Sequence, residues 1–123
     1  MANPVGWFEI YVQDLPRAKA FYEGVFQTTL EHLGTGDEVQ MWAFPMEPEG
    51  QGAAGALVYM AGAPSGGMGT IVYFMCEDCA VEARRLTEQG GRIHKEKFSI
   101  GEYGFIALGL DTEGNMIGLH SLK

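Results

Sequence analysis

The sequence predicts an α+β protein made of two βαβββ modules in tandem, residues 5–61 and 69–123, which together form a single domain over 1–123. A strand, a turn and a helix occur twice, in "VGWFEIYVQDLPRAKAFY" (5–22) and in "GTIVYFMCEDCAVEARRLTEQGG" (69–91). The segments 38–50 and 102–114 also match each other at a constant offset of 64 residues. A repeat that includes a strand, a helix and further strands indicates a duplicated α+β unit.

The first strand contains a carboxylate within its most apolar part. Alternation puts Phe8, Ile10 and Val12 on one face of the strand and Trp7, Glu9 and Tyr11 on the other. A face that combines two aromatic rings with a carboxylate is typical of a pocket wall. A solvated outer face accounts for Glu9 equally well at this point.

Each helix has a clear start signal. Asp14 is a good N-cap for a helix near 15–25, and Pro16 lies in its first turn, where a missing N–H costs nothing. In the second module a strand from Thr70 to about Cys76 precedes Asp78, a cap for a helix near 79–89 that Gly90 and Gly91 end.

The remaining strands complete each module. "GALVYM" (55–60) closes the first copy and "MIGLHS" (116–121) closes the second. The glycine-rich segment 62–68 is then the linker, and it lacks the Gly-Lys-Ser/Thr ending of a phosphate-binding loop. If each helix covers one face of a curved sheet, the opposite faces enclose a cleft, with Trp7, Glu9 and Tyr11 in its lining.

Composition excludes several classes of partner. Eight basic and sixteen acidic residues give a net charge of -8, which repels nucleic acid and anionic lipid. The sequence has no apolar run long enough to span a bilayer and no signal-like N-terminus, so we expect a cytoplasmic protein. Two cysteines agree with a reducing compartment.

Motifs in both modules carry a family resemblance. "FEIYVQDLPRAKAFYEGVF" (8–26) and "GGRIHKEKFSIGEYGFIALGLDTEGNMIGLH" (90–120), within the doubled plan, resemble the vicinal oxygen chelate superfamily. This superfamily includes glyoxalase I, bleomycin-resistance proteins, fosfomycin-resistance enzymes and extradiol dioxygenases. The resemblance implies a glyoxalase-like fold with mixed sheets around a cleft, and it says little about the reaction.

The resemblance also implies where a metal would bind in metal-dependent members. Its ligand positions fall at Trp7, Thr70 and Gly118, with a fourth near Gly55 or Leu57, and none of these is a His, Asp or Glu. We therefore expect no metal and no other cofactor. A divalent metal remains an alternative only if this alignment is wrong.

Other polar and aromatic side chains are expected in the cleft. His120 lies two residues beyond Gly118, as Glu9 lies two beyond Trp7, so the two could act as general base and acid or hold a polar ligand; His120 could equally be inert. A buried Glu9 needs a partner, such as His120 or a tyrosine hydroxyl. The predicted ligand-binding residues are Trp7, Glu9, Tyr11, Tyr59, Phe74 and His120, with Glu9 and His120 as candidate catalytic residues.

The pair Cys76 and Cys79 has two interpretations. Cys-x-x-Cys at a helix N-terminus can be a redox pair, because that position stabilises a thiolate. There is no second pair to complete a zinc site, and the flanking acids raise a thiol pKa. The pattern favours two small apolar residues without a redox or metal role.

Three functions remain open on the sequence. The absent ligands favour a metal-free protein that binds an apolar or aromatic small molecule, as the bleomycin-resistance branch implies. The alternatives are a glyoxalase-like lyase, isomerase or dioxygenase, with a non-standard metal site or the Glu9–His120 pair, and a regulatory module with a vestigial cleft. An open sheet edge and the family likeness also predict a homodimer.

Overall fold

The computed structural model describes residues 3–34, 36 and 38–123. These residues divide into two compact units: a first unit, Trp7–Thr70, and a second unit, which joins Ile71–Lys123 to residues 3–6. In each unit the described elements follow the order strand, helix, three strands, which confirms the predicted α+β class and the βαβββ plan. Whether the two modules act as one domain remains a prediction.

Strand β1 spans Val5–Tyr11, and its part from Trp7 onward belongs to the first unit. The other elements of this unit are α1 (Leu15–Phe26), β2 (Glu31–Leu33), β3 (Val39–Ala43) and β4 (Ala54–Met60). Its strands lie in the order β2-β3-β4-β1. β1 pairs with β4 in parallel, while β3 is antiparallel to β2 and to β4. The parallel pair follows from the connection through α1 and two further strands, which returns the chain beside β1 in the same direction.

Helix α1 begins where its cap was predicted. The Asp14 side chain accepts a hydrogen bond from the backbone N–H of Arg17 at 3.1 Å. The helix ends at Gln27, which has a left-handed backbone with a φ of 51° and donates its N–H to the carbonyl of Glu23. A left-handed residue ends a helix because it redirects the chain while satisfying a terminal carbonyl.

The core of the first unit lies between α1 and one face of the sheet. Its buried members are Val12, Leu15, Leu30 and Leu57. Partly buried side chains pack around them, namely Ile10, Ala18, Tyr22, Trp42, Phe44 and Tyr59. The apolar face of β1 is therefore the face that contacts the helix, as its alternation predicted.

Strand β5 spans Thr70–Met75, and its part from Ile71 onward belongs to the second unit. The other elements of this unit are α2 (Cys79–Glu88), β6 (Arg92–Ser99), a 3-10 turn (Gly101–Tyr103), β7 (Phe105–Leu110) and β8 (Met116–Ser121). The strand order is β5-β8-β7-β6, which repeats the order of the first unit. β5 is parallel to β8, and β7 is antiparallel to β8 and β6.

Two side chains cap α2. Asp78 accepts from the N–H of Ala80 at 3.0 Å, and the hydroxyl of the buried Ser121 accepts from the N–H of Cys79 at 3.0 Å. Because the first N–H groups of a helix have no partner within it, these bonds fix the start of α2. The core beside it comprises Cys79, Ala83, Ala107 and Leu119, with Phe74, Cys76, Ile93 and Phe105 packed around them.

None of the described helices is long and apolar enough to cross a membrane.

Candidate functional site

The sheet of the first unit has one face against α1 and one face turned away from it, here called the far face. Ile10 pairs with Leu57, a core residue, whereas Glu9 pairs with Ala56. Because neighbouring residues alternate between faces, Glu9 lies on the far face. The same register places on the far face Trp7, Glu9 and Tyr11 of β1, Ala54, Ala56 and Val58 of β4, and Met41 and Ala43 of β3.

Glu9 is held by the two aromatic residues that flank it. The indole Nε1–H of Trp7 donates to Oε2 of Glu9 at 3.1 Å, and the hydroxyl of Tyr11 donates to Oε1 at 3.0 Å. Only 6% of Glu9 is exposed, so the solvated-face interpretation is wrong. The Tyr11 contact confirms the expectation that a tyrosine hydroxyl is a partner of Glu9. The two hydrogen bonds from ring donors offset part of the cost of burying the carboxylate.

Small apolar residues surround this carboxylate in the sheet. Ala56, its neighbour on β4, is fully buried, and Val58 and Ala43 are also buried. Trp7 and Tyr11 are partly exposed. A charged hydrogen bond in apolar surroundings is stronger than one in water, so Glu9 fixes the orientation of both rings.

Tyr11 has a perturbed acidity. Burial of its side chain raises its pKa, and the negative charge of Glu9 and the hydrogen bond to Glu9 raise the pKa further. Loss of the hydroxyl proton would leave two negative groups in contact. Tyr11 is therefore a donor to Glu9 throughout the physiological pH range.

Tyr59 does not lie with these residues, and its predicted position is wrong. It follows Leu57 by two residues on β4 and packs against the core beside α1. The prediction placed the face of Gly55 and Leu57 toward the cleft, whereas the ring of Phe8 occupies the space beside Gly55, 2.5 Å from where a Cβ would be. Both observations show that this face of β4 meets the helix layer.

Phe74 is also on the opposite face from the one predicted. It pairs with Leu119 and packs against the core beside α2. The error is one residue of register: the prediction aligns Thr70 with Trp7, although the 64-residue repeat aligns Trp7 with Ile71. A shift of one residue moves every side chain of a strand to the other face.

In the second unit the neighbour of His120, Leu119, belongs to the core beside α2, so His120 lies on the sheet face turned away from α2. His120 is in register with Met75 and with Ile106. Its Nε2 is 2.6 Å from the backbone carbonyl of Tyr103. Because a carbonyl only accepts, Nε2 carries the hydrogen in this contact. Glu9 and His120 belong to different units, and their predicted cooperation remains a prediction.

The donor set does not fit a divalent metal at the positions that the family uses. With the register corrected, the equivalents of Trp7 and Gly118 in the other module are Ile71 and Ala54, and none of the four side chains offers an oxygen, imidazole or thiolate ligand. Within the described part of the chain, no group of three or more His, Cys, Asp or Glu residues could hold a metal ion.

Gly118 is additionally blocked by an aromatic ring. A Cβ at this position would overlap the ring of Tyr73, which pairs with it across β5 and β8. The space that a liganding side chain would need on the last strand is therefore filled by Tyr73, which is itself buried. Tyr73 was not among the predicted site residues, although the 64-residue repeat aligns it with Glu9.

The surroundings of the two cysteines do not indicate a redox or metal role. Cys79 is fully buried in the core beside α2. Burial raises the pKa of the Cys76 thiol to about 11, and the negative charge of Glu82 contributes to the rise. Both sites agree with the interpretation as small apolar residues.

Comparisons with known proteins agree with this fold. The family model described as the Glyoxalase/Bleomycin resistance protein/Dioxygenase superfamily matches residues 5–119. A methylmalonyl-CoA epimerase from Mycobacterium tuberculosis is similar in structure, with a TM-score of 0.69, 19% identity, and coverage of 98% of this chain and 88% of that chain.

Two further solved structures are similar. A variant of the Streptomyces coelicolor methylmalonyl-CoA epimerase, in complex with 2-nitronate-propionyl-CoA, has a TM-score of 0.67, 16% identity, and coverage of 95% of this chain and 92% of that chain. A hypothetical protein from Bacillus halodurans has a TM-score of 0.69, 14% identity, and coverage of 97% and 94%. No curated protein gave a significant match. At these identities the likeness shows the glyoxalase-like fold alone.

Proposed function

The chain belongs to the glyoxalase/bleomycin resistance protein/dioxygenase superfamily, and we propose that it binds a small apolar or aromatic molecule without a metal ion. The observation that carries this proposal is the hydrogen-bonded set of Trp7, Glu9 and Tyr11 on the far face of the first unit. A buried carboxylate with two ring donors is costly to build and needs a reason beyond packing.

The set supports binding because of how its polar atoms are used. Both oxygens of Glu9 accept from the rings, and both ring donors are committed to Glu9. What Trp7 and Tyr11 offer a ligand is therefore apolar ring area in fixed orientation. Fixed aromatic side chains lose little conformational entropy on binding, which favours affinity for a flat, apolar partner.

The charge of the chain supports an uncharged ligand. The first unit contains two basic residues, Arg17 and Lys19, within a chain of net charge -8. The Streptomyces structure named above holds a CoA compound, and the phosphates of such a compound are anionic. An acidic chain repels anions, so the charge of this chain does not favour binding of a CoA compound.

A glyoxalase-like enzyme is the alternative, and it has less support. A general base must reach the proton that it removes. In Glu9 both oxygens already accept hydrogen bonds from the neighbouring rings. In His120 the Nε2 donates to the Tyr103 carbonyl, which leaves Nδ1 as the nitrogen that could act as a base. The metal-dependent version of that enzyme would need ligands that Trp7, Ala54, Ile71 and Gly118 do not provide.

A tryptophan fluorescence titration tests the proposal. The chain has two tryptophans, so Trp42→Phe leaves Trp7 as the reporter and Trp7→Phe leaves Trp42. Neutral bicyclic aromatics, such as indole, quinoline and 2-naphthol, are titrated into each protein, and thermal shift is measured in parallel. We expect saturable quenching in the Trp42→Phe protein and weaker binding after Tyr11→Phe.

The matched control is Tyr59→Phe, which changes a tyrosine that packs on the α1 side of the same sheet. Binding should be unchanged by this substitution. Absence of any saturable response from Trp7 would contradict the proposal and favour the vestigial-module interpretation. Binding that survives both Trp7→Phe and Tyr11→Phe would place the ligand elsewhere.

A further inference from the structure

Strand β6, at the edge of the sheet in the second unit, is irregular in its pairing with β7. The register shifts between Ile93 and Lys95, and it shifts again between Lys95 and Phe98. A β-bulge sets an extra residue against one residue of the neighbouring strand, so it changes which side chains share a face. Strict alternation would put Arg92 and Lys95 on opposite faces of the sheet, and the two shifts change this.

The partners on β7 show which face the β6 side chains occupy. Ala107 of β7 belongs to the core beside α2. Because successive strand residues alternate, its neighbours Ile106 and Leu108 lie on the face of this sheet turned away from α2, here called the distal face. Leu110 follows two residues later on the same face.

Three side chains of β6 lie on the distal face as a result. Directly paired residues of antiparallel strands project to the same face. The three pairs are Arg92 with Leu110, Lys95 with Leu108, and Phe98 with Ile106. Arg92, Lys95 and Phe98 are here called the β6 rim. The bulges thus bring two cations and an aromatic ring to one face.

The part of the distal face beside the rim is apolar. Ile106, Leu108 and Leu110 are half-buried, and so is Met116, which pairs with Leu110 across β7 and β8. Each of these side chains therefore keeps some apolar area in contact with solvent. None of the residues that the registers of β5 to β8 place on the distal face is acidic.

Within the described residues the two cations of the β6 rim belong to no ion pair. Arg92 and Lys95 are both exposed. The ammonium of Lys95 lies 4.1 Å from the centre of the Phe98 ring, and this attraction keeps it over the distal face. Because the partners of Arg92 and Lys95 are two residues apart on β7, the two cations lie about 7 Å apart along the strand.

We propose that the distal face binds an amphipathic carboxylate, a small molecule with an aliphatic body and one carboxylate group. Arg92 and Lys95 receive the carboxylate, because a guanidinium and an ammonium both donate charged hydrogen bonds to it. The aliphatic body lies on Ile106, Leu108 and Leu110. This ligand differs from the neutral aromatic molecule proposed for the first unit, and different residues carry the inference.

Protection of the sheet edge is the alternative role for these features. Lysines and bulges on an edge strand hinder its pairing with another chain. That role requires neither that both cations share a face nor that apolar side chains lie beside them. The placement of Arg92 and Lys95 on one face, next to half-buried apolar side chains, matches a ligand with one charged end and an apolar body.

Isothermal titration calorimetry of the full chain with monomeric decanoate tests the proposal. We expect saturable binding, and affinity should rise severalfold from hexanoate to octanoate and again to decanoate, because the surface is apolar. Arg92→Gln with Lys95→Gln should weaken decanoate binding about tenfold or more. The matched control is Arg84→Gln with Arg85→Gln, which removes the same two charges from exposed positions of α2 and should bind like the wild type.

Light scattering by the same proteins separates ligand binding from edge protection, and far-UV circular dichroism verifies that each is folded. A variant of Arg92 and Lys95 that aggregates but binds decanoate like the wild type would overturn the proposal and assign the cations to edge protection. Equal loss of binding in both double variants would overturn it too, because only net charge would then matter. Absence of saturable decanoate binding, or an affinity independent of chain length, would have the same consequence.

Discussion

The hydroxyl of Tyr11 donates to Oε1 of Glu9 at 3.0 Å, between two residues of one strand that share a face. The pairing is local in sequence, and it nevertheless buries a carboxylate in apolar surroundings. Side chains two residues apart on a strand lie about 7 Å apart along it, so only a long side chain such as tyrosine or tryptophan reaches back to a carboxylate between them. Glu9 thus fixes its neighbours, and they in turn make its burial tolerable.

Glu9→Gln should destabilise the protein by about 1–3 kcal/mol. The amide of glutamine has one oxygen to accept and an NH₂ group that cannot accept, so one of the two ring donors, on Trp7 or Tyr11, loses its partner. Urea unfolding of the wild type and the variant measures the difference. Glu31→Gln, at an exposed position of β2, is the control and should change stability little; equal effects from the two substitutions would contradict a special role for Glu9.

The fold was predictable because its signals are local and repeated. The Asp14 cap and the duplicated strand-helix pattern placed α1 and α2 within one residue of where they lie. The site was only partly predictable. Alternation alone cannot assign the faces of β4 and β5 without knowledge of their pairing, and an error of one residue sent Tyr59 and Phe74 to the wrong side.

The contact between Tyr73 and Gly118 shows why the rest was beyond the sequence. A glycine at a ligand position predicts a missing ligand, but it does not reveal that a ring from another strand fills the space. That information depends on which strands are neighbours. Similarly, the alternation of β1 predicted that Trp7, Glu9 and Tyr11 share a face. It did not predict that Glu9 is buried, because burial depends on how the neighbouring strands pack.

Alkaline pH should destabilise the protein partly through Tyr11. Its pKa in the folded state is raised above the ordinary value of 10.0, mainly by burial. A group with a raised folded pKa contributes stability that is fully present below its unfolded pKa and is lost as the pH rises above that value. The melting temperature should therefore fall from about pH 10 upward, and Tyr11→Phe should reduce this dependence. Tyr59→Phe should retain it, and identical alkaline profiles for all three proteins would rule out this contribution.

Cys76 should react slowly with iodoacetamide at neutral pH, because a thiol with a pKa of about 11 holds very little thiolate there. Glu82→Gln removes a negative charge beside the thiol and should lower its pKa and accelerate the reaction. Mass spectrometry of the Cys76 peptide over time measures the rate. Glu88→Gln, at an exposed position of the same helix, is the control; acceleration by both variants to the same extent would indicate helix opening instead of a charge effect.

Purification without chelator should yield a protein without stoichiometric zinc, nickel, iron or manganese, and methylglyoxal-glutathione isomerisation should be undetectable. The reason is the donor set: that reaction needs a Lewis acid for the enediolate, and Trp7, Ala54, Ile71 and Gly118 provide no ligand for one. Adding a carboxylate by Gly118→Glu should not create a site and should destabilise the fold, because the new Cβ would overlap the ring of Tyr73. Elemental analysis by mass spectrometry measures the metal content, and a urea unfolding curve measures the loss of stability. Ala54→Glu, on the equivalent strand of the first module, is the comparison. One equivalent of metal bound to the wild type and lost on Trp7→Phe would contradict the metal-free proposal directly, since it would place an ion on the far face that the donor set cannot account for.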